Sequence, residues 1–301
     1  MDDYPIGRSV QALKKRHVDS VGFVNKLGGG YRPDAACWAI IALRAALGED
    51  QLIQKARKQL AMVQAKDGRV CVSPEHPDAY WPTPLAILAW QASTDYKKEQ
   101  SKAVKFLLDF SEIQNSALPE HIFGHDGTIK GWPWIARTNS WVEPTALALI
   151  ALQAVQLQTH ERAQDAVRLL MDRQLPNGGW NYGKTFVFGQ QLRAIPIPTG
   201  ISLQSLSGLV AREKVEKSIL YLRSQLEHAQ TPFTLAWTLL GLNAWREAPR
   251  NRNELVLSML QKNEKIDCYD TVSLGALIVA YFCKNGFSPF FQHFKQMDQK
   301  Q

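Results

Sequence analysis

A ten-residue apolar frame recurs along the chain. Its copies start at Ala36, Thr83, Thr145, Thr199, Leu235 and Thr271. The copies from Ala36 and Leu235 are the weaker ones, because they lack the leading threonine. Each copy is apolar on almost every side of a helical wheel, so each predicts a fully buried helix.

A second kind of segment precedes each apolar frame. In residues 161–174 the apolar side chains Ala163, Ala166, Val167 and Leu170 follow the i, i+3, i+4, i+7 rule, and charged residues fill the other face. The same spacing occurs in residues 8–24, 51–64, 98–110, 212–227 and 251–262. Six amphipathic helices are therefore predicted to alternate with six apolar ones.

This alternation predicts an all-α fold with one helical layer inside another. We expect a single domain over residues 1–301 that forms an (α/α)6 barrel, or toroid, of six inner and six outer helices. An open superhelical array of helix pairs is the alternative. In the closed form, Thr83, Thr145, Thr199 and Thr271 should lie at one end of the barrel, each within a residue or two of an inner-helix start.

The links between helices point to that same end. Two outer-to-inner links, residues 115–141 and 175–198, are long, and loops of this length inside a compact domain are usually functional. Aromatic residues concentrate in or beside the outer-to-inner links, and we predict that they bind the substrate. They are Trp81, Trp132, Trp134, Trp141, Trp180, Tyr182 and Tyr269.

Composition narrows the function classes. The net charge is +7 and the pI about 9.2, but the basic residues are dispersed, which argues against a nucleic-acid partner. The 4 cysteines are far apart, which favours a reducing cytoplasm over a disulfide framework. The longest apolar stretches, such as 146–152 and 274–282, are too short to span a bilayer. We expect a soluble, cytoplasmic protein.

The C-terminal segment 287–301 is an aromatic tail that carries Phe287, Phe290, Phe291 and Phe294. One interpretation is that it covers an apolar edge of the barrel. The alternative is a shallow contact with a membrane surface or a partner.

Three acids stand just before predicted inner helices: Glu143, Asp267 and Asp270. Each can serve as a helix-start acid, stabilised by free backbone N–H groups and the helix dipole. Each is also a candidate catalytic residue. Glu143 is the strongest candidate because an aromatic wall around one acid suits a cationic or polyene ligand. The dipole should favour its carboxylate, which would make the acid form a stronger proton donor.

The segment Leu170-Met-Asp-Arg-Gln174-Leu-Pro-Asn-Gly178-Gly179-Trp180 resembles the QW motif of squalene cyclases and prenyltransferase β subunits. A degraded copy runs from Leu60 through Gln64 to Val70. The chain therefore resembles the prenyltransferase and squalene oxidase repeat proteins of the terpenoid cyclase and protein prenyltransferase toroid superfamily. In physical terms, the motif's glutamine can hydrogen-bond a helix end to the neighbouring unit, and the tryptophan can pack beneath the turn.

The resemblance implies two kinds of chemistry. Class II terpene cyclases protonate an alkene or epoxide with the middle Asp of an Asp-x-Asp-Asp-Thr sequence. Glu143 stands at that middle position before Thr145, whereas before Thr271 the outer acids Asp267 and Asp270 remain around Tyr269. Protein prenyltransferases carry zinc on an Asp-x-Cys pair and a distant His, a pattern that this chain lacks. We therefore predict no metal and no cofactor.

The resulting functional prediction is a terpene cyclase-like barrel that handles an isoprenoid or other apolar small molecule, with Glu143 as general acid. One alternative is a non-catalytic barrel that binds a lipid, peptide or protein partner through the Trp-rich end. Another is a prenyltransferase-like subunit. A peripheral membrane contact is compatible with each.

Overall fold

The computed structural model describes residues 4–19, 21–48, 50–110, 124–187, 189–266 and 268–287. In these residues the chain forms twelve α-helices. Six inner helices are α2 (Pro33–Leu47), α4 (Thr83–Ala89), α6 (Val142–Ala154), α8 (Pro196–Leu206), α10 (Pro232–Ala244) and α12 (Thr271–Phe282). Six outer helices are α1 (Pro5–Lys14), α3 (Gln51–Met62), α5 (Lys97–Asp109), α7 (Glu161–Asp172), α9 (Glu216–Ser224) and α11 (Arg252–Ile266).

The remaining regular structure is short. Strand β1 (His17–Val18) pairs antiparallel with β2 (Gly22–Phe23), and β3 (Phe186–Val187) pairs antiparallel with β4 (Gln190–Gln191). Two 3₁₀ turns, Arg212–Lys214 and Leu226–His228, flank α9. The predicted helices 8–24 and 212–227 are thus shorter than expected. The first ends at Lys14 because a hairpin with Gly22 at φ +97° follows it.

The inner helices form a closed ring. Each packs against the next in the order α2, α4, α6, α8, α10, α12, and α12 packs against α2. The outer helices cover this ring, so the protein is an all-α toroid of the predicted (α/α)6 kind, and the open array is wrong. None of the described helices is long and apolar enough to cross a bilayer.

Threonines tie the inner-helix starts to the links before them. The hydroxyl of Thr145 accepts a hydrogen bond from the Trp132 N–H at 3.0 Å, and that of Thr199 accepts one from the Trp180 N–H at 2.9 Å. Thr83 repeats the contact with Val70 at 2.9 Å. Helices α6 and α8 nevertheless begin three residues before their threonines, earlier than predicted. In both, a proline in the first turn needs no N–H acceptor and presets the helical φ.

A second set of side chains joins the inner helices at their C-terminal ends. At the ninth position of the repeated frame, a polar side chain donates to a carbonyl at the end of the next inner helix. The donors and acceptors are Arg44 to Gln91, Gln91 to Ala154, Gln153 to Ser205, Ser207 to Ala244 and Asn243 to Cys283. We call these five donors the C-terminal belt. They satisfy carbonyls that a helix end leaves without an intrahelical partner.

Two seams of the ring are closed by glycine. A Cβ on Gly200 of α8 would lie 2.3 Å from the Trp237 carbonyl oxygen of α10. A Cβ on Gly275 of α12 would lie 3.0 Å from the Trp38 carbonyl oxygen of α2. Glycine at these positions therefore lets the paired backbones approach more closely than any other residue would allow.

Candidate functional site

The side chains that face the inside of the ring can be identified from one contact. The rings of Trp38 on α2 and Trp237 on α10 are 5.7 Å apart, although α12 lies between these helices. The outward side of α12 is covered by α1 and α11, so the two tryptophans meet on its inner side. Both are the third residue of the repeated frame. That position therefore faces the ring interior.

One helical turn closer to the N-terminus lies a second layer of interior residues. In α2, α6, α8 and α10 it is the second residue of the helix, four before the interior position, so the two share a face. These second residues are Asp34, Glu143, Ile197 and Phe233. Phe233 confirms the placement, because its ring lies 6.1 Å from that of Trp38.

Glu143 is the uncompensated acid of this layer. Its side chain is buried, with a residue exposure of 8%, and among the described residues its carboxyl has no hydrogen-bond or ion-pair partner. Burial raises the pKa of Glu143 from its ordinary value of 4.5 to about 7, and no neighbouring charge offsets this. The expectation that the helix dipole would favour the carboxylate is thus reversed. At neutral pH a large fraction of Glu143 is protonated.

The backbone around Glu143 holds it at the helix start. The Val142 N–H donates to the Tyr182 carbonyl at 3.0 Å, and the Thr145 N–H donates to the Trp141 carbonyl at 3.3 Å. Pro144 has no N–H to satisfy. The link that carries Tyr182 therefore fixes the first turn of α6, and the Glu143 side chain is left to face the interior.

The other acids at inner-helix starts are compensated. Asp270 is the N-cap of α12, where its carboxylate accepts the Ser273 N–H at 2.8 Å. Asp34 forms a bidentate ion pair with Arg32, in which the Arg32 Nε and Nη2 atoms donate to the two carboxylate oxygens at 2.9 and 2.8 Å. Asp267 lies outside the described residues. Of the described candidates, only Glu143 combines burial with a free carboxyl.

Three predicted aromatic residues are half-buried near this end of the barrel: Trp81, Trp134 and Trp141. The rings of Trp81 and Trp134 meet edge to face at 5.3 Å. Trp141 immediately precedes α6. Tyr182 is 51% exposed, and it holds α6 through its carbonyl rather than through its ring.

Trp132 and Trp180 lie in the layer between inner and outer helices. Trp180 is completely buried, and its indole N–H donates to the Leu170 carbonyl of α7 at 2.6 Å. The Arg162 guanidinium lies 4.2 Å from the ring centre of Trp132, which is 2% exposed. Both contacts join these rings to residues of the outer helix α7. Tyr269 similarly donates its hydroxyl to the Met259 carbonyl of α11 at 3.1 Å.

The glutamines of the two QW-like segments join neighbouring outer helices. Gln174 donates to the Ser218 hydroxyl of α9 at 2.7 Å, and Gln64 donates to the Glu99 carbonyl of α5 at 2.9 Å. Their role in the barrel is structural. Among the residues that the structure describes, no group of three or more His, Cys, Asp or Glu side chains could hold a metal ion.

The interior also contains Trp38, Trp237, Phe233 and Ile197, which were not predicted from the sequence, together with Phe287 of the predicted aromatic tail. Trp38 and Trp237 are buried, and Phe287, just after α12, packs on both at 6.2 and 5.9 Å. Phe233 and Ile197 are half-buried above them. A usable signal was present for the upper pair, because both stand two residues before a frame start, as Glu143 does.

Comparison with known proteins establishes the class of fold. A crystal structure of a protein from Actinoplanes matches with a TM-score of 0.61 at 12% identity, covering 93% of this chain and 97% of that one. A variant of the type II terpene cyclase MstE from Scytonema, in complex with its substrate geranylgeranyl dihydroxybenzoate, matches with a TM-score of 0.56 at 13% identity, covering 95% of this chain and 97% of that one. The chain therefore has a terpene cyclase-like fold.

No family model matches the sequence, and no curated protein matches it.

Proposed function

We propose that this protein is a terpene cyclase-like enzyme that binds an isoprenoid or similar apolar molecule inside the ring and protonates it with Glu143. The observation that carries the proposal is the free, buried carboxyl of Glu143 on the interior face of α6. Ile197 and Phe233 occupy the equivalent position on α8 and α10, and Trp81, Trp134 and Trp141 are half-buried at the same end of the barrel. Together they would supply an apolar and aromatic surround. Aromatic faces attract cations, most strongly where water is excluded, so such a surround would stabilise a carbocation.

The pKa of Glu143 narrows the reaction. A carboxylic acid with a pKa of about 7 is about half protonated at pH 7, but it is a weak donor to an unactivated alkene. An oxygen atom on the ligand is a better acceptor. We therefore favour an epoxide-bearing isoprenoid. Glu143 would give its proton to the oxygen as the C–O bond breaks, and a nearby alkene would close a ring on the cation. The cyclised cation would lose a proton to water, and water would return a proton to the Glu143 carboxylate.

The test is turnover of epoxides of farnesol and geranylgeraniol, with products followed by gas chromatography and mass spectrometry. Glu143→Gln keeps the shape of the side chain but removes the transferable proton. Turnover should fall by about 10²–10⁴-fold, while binding survives. Asp270→Asn is the matched control, since it makes the same acid-to-amide change at a capping site. Full turnover by Glu143→Gln would refute the proposal.

A binding protein is the second candidate, and one observation favours it. The other described acids at inner-helix starts, Asp34 and Asp270, are engaged with Arg32 and the Ser273 N–H, so neither offers a free carboxylate that could assist Glu143. A protonated Glu143 could then hold the oxygen of a ligand by a hydrogen bond without reacting. In that case the epoxides would bind and be recovered intact, and Glu143→Gln, which also donates, would bind them about equally well.

The same end of the barrel could take a peptide or protein in this second role. Ile135 and Tyr182, in the two long links, are 49% and 51% exposed, and they would form part of that surface. The prenyltransferase-like subunit remains a proposal without a supporting contact.

A further inference from the structure

A polar pocket lies at the opposite end of the barrel from Glu143. Helices α6, α8 and α10 end there, and the pocket that their last residues line has a volume of about 650 Å³. Gln153, one of the lining residues, comes ten residues after Glu143 on α6, which corresponds to about 15 Å along the helix axis. The pocket is therefore separate from the site of the proposed function.

The described lining of the pocket consists mainly of neutral amides. The amide side chains are Gln153, Gln156, Gln158, Gln204, Asn243 and Asn285. Arg246 carries the only charge among the described lining residues, and none of them is acidic or aromatic. A cation would find no carboxylate here, an apolar ligand would find no aromatic wall, and an anion would face the negative ends of three helices. The pocket therefore suits a neutral ligand that forms hydrogen bonds.

Gln204 is a polar residue at a position that is otherwise apolar. It is the sixth residue of the repeated frame, and the other five copies have Ile41, Leu88, Ile150, Leu240 and Ala276 there. Gln204 is 1% exposed, and its Oε1 accepts a hydrogen bond from the Phe287 N–H at 3.1 Å. Its amide nitrogen donates to none of the described residues. The two amide hydrogens of Gln204 are thus available to a ligand.

Asn243 has an unused acceptor in the same pocket. Its Nδ2 is part of the C-terminal belt and donates to the Cys283 carbonyl at 3.0 Å, but its buried Oδ1 has no partner among the described residues. At the equivalent position of α4, Gln91 uses both ends of its amide, because it donates to the Ala154 carbonyl and accepts from Gln100 at 2.9 Å. The belt therefore does not require an unpaired oxygen. A buried acceptor without a partner is costly, and a ligand hydroxyl would satisfy it.

Two side chains at the edge of the pocket are held at a cost to the backbone. Gln156 and Arg246 follow α6 and α10 with φ values of +66° and +60°. Glycine adopts this left-handed conformation most easily and is the usual residue at such helix ends. Both residues stand twelfth from a frame start, and both line the pocket. Glycine at either position would relieve strain but would remove hydrogen-bonding groups from the pocket.

We propose that this pocket binds a short neutral carbohydrate, such as a disaccharide. Sugar hydroxyls both donate and accept hydrogen bonds, so they match the amide hydrogens of Gln204 and the unpaired oxygen of Asn243. The volume lies within the range of about 300–1,000 Å³ that is common for small-molecule sites. This inference goes beyond the proposed function and does not depend on it.

The experiment measures the binding of maltose, cellobiose, lactose and trehalose to the full chain by saturation-transfer NMR and calorimetry, together with an array of neutral glycans. At least one carbohydrate should bind saturably. Gln156→Gly keeps the left-handed backbone and removes the side chain, so it should weaken that binding by about 2–10-fold. Ala92→Gly is the matched control. It makes the same kind of change at φ +58° after α4, outside the pocket lining, and should leave binding unchanged.

A second pair of measurements separates a neutral ligand from an anion. Arg246→Gln removes the charge of the pocket but keeps a hydrogen-bond donor, so the carbohydrate should bind about equally well. Glucose 6-phosphate is the anionic probe, and it should bind no more tightly than glucose. Tighter binding of glucose 6-phosphate that is lost in Arg246→Gln would identify an anion site and overturn the inference.

Three further results would overturn it. One is the absence of binding by every carbohydrate. Another is an equal loss of binding in Gln156→Gly and Ala92→Gly, which would show that the backbone change alone is responsible. The third is binding of acetyl-triglycine amide in place of the sugars, which would identify a peptide site. Glu143→Gln should bind the carbohydrate as the wild type does, so failure of the catalytic proposal is distinguishable from failure of this one.

Discussion

Glu143 and Asp270 show how one kind of residue takes two roles at helix starts. Asp270 stands at the N-cap, where its side chain turns back to the Ser273 N–H. Glu143 is the second residue of α6, where its side chain shares a face with the interior residue Leu147. A carboxylate at the N-cap accepts a backbone N–H, whereas a carboxyl at the interior position is removed from water and gains no such donor. The two outcomes follow from a shift of two residues relative to the helix start.

The raised pKa of Glu143 makes stability depend on pH. Below pH 4.5 the folded and unfolded states both carry the proton. Between there and about pH 7 the unfolded state loses it while the folded state keeps it, so stability falls as pH rises. Glu143→Gln removes this dependence. Its stability relative to the wild type should therefore increase from pH 5 to pH 8 by up to about 3 kcal/mol, measured by urea unfolding at both pH values. A constant difference would show that Glu143 is hydrated in the folded state.

The sequence could place Glu143, because an acid before an apolar frame is visible without a structure. It could not show that Glu143 is buried and unpaired while Asp270 is engaged as a helix cap, since burial and capping depend on where each helix begins. It also missed Trp38 and Trp237. A helix that is apolar on every side has no polar face to mark its orientation. Its sequence therefore does not show which side chains point into the barrel and which lie between the inner and outer helices.

Among the inner helices, α8 and α10 approach each other closely, and glycine residues make this approach possible. Gly200 faces the Trp237 carbonyl, and a Cβ on Gly241 would lie 2.8 Å from the Gly200 Cα. Alanine is ordinarily better in a helix than glycine by about 1 kcal/mol. Here the added methyl group would meet backbone, which cannot rotate away.

We expect Gly200→Ala to destabilise the protein by about 1–3 kcal/mol, because overpacking outweighs the gain in helix propensity. Urea denaturation measures the change. Gly30→Ala is the control, since a Cβ there would meet no atom within 4 Å and its φ is not positive. A Gly200→Ala variant as stable as the Gly30→Ala variant would mean that the two helices can move apart at little cost.

The positions of the elements were largely predictable, and their ends were not. Repetition of the frame located all six inner helices. The outer segment 212–227 was predicted as one helix, but it is divided into Arg212–Lys214, α9 and Leu226–His228. Arg212 pairs with Glu216 and Glu247 and also reaches the Trp245 carbonyl, so contacts with the end of α10 shape this segment. Such contacts lie far apart in sequence and leave no local pattern.

At the scale of the whole molecule, the closed ring could be predicted from the apolar character of the inner helices. Inner helices that are apolar on every side need neighbours on every side, and a ring with an outer layer supplies them. The depth of the interior did not follow, because it depends on which residues meet across the ring. Trp38 and Trp237 are separated in sequence by about two thirds of the chain, and only the closed ring brings them together.

The C-terminal belt has a consequence for how the barrel opens. It supplies a donor at five seams, but the equivalent residue of α12 is Val279, whose side chain cannot donate, so the belt adds no hydrogen bond between α12 and α2. Local unfolding should therefore begin at this joint. In hydrogen–deuterium exchange followed by mass spectrometry, amides near the ends of α12 and α2 should exchange sooner than those near the ends of α4 and α6. Equal protection at the two joints would assign the stability of the ring to packing alone. Faster exchange near the ends of α12 and α2 would mean that the first and last inner helices separate first, while the C-terminal belt still holds the other inner helices together.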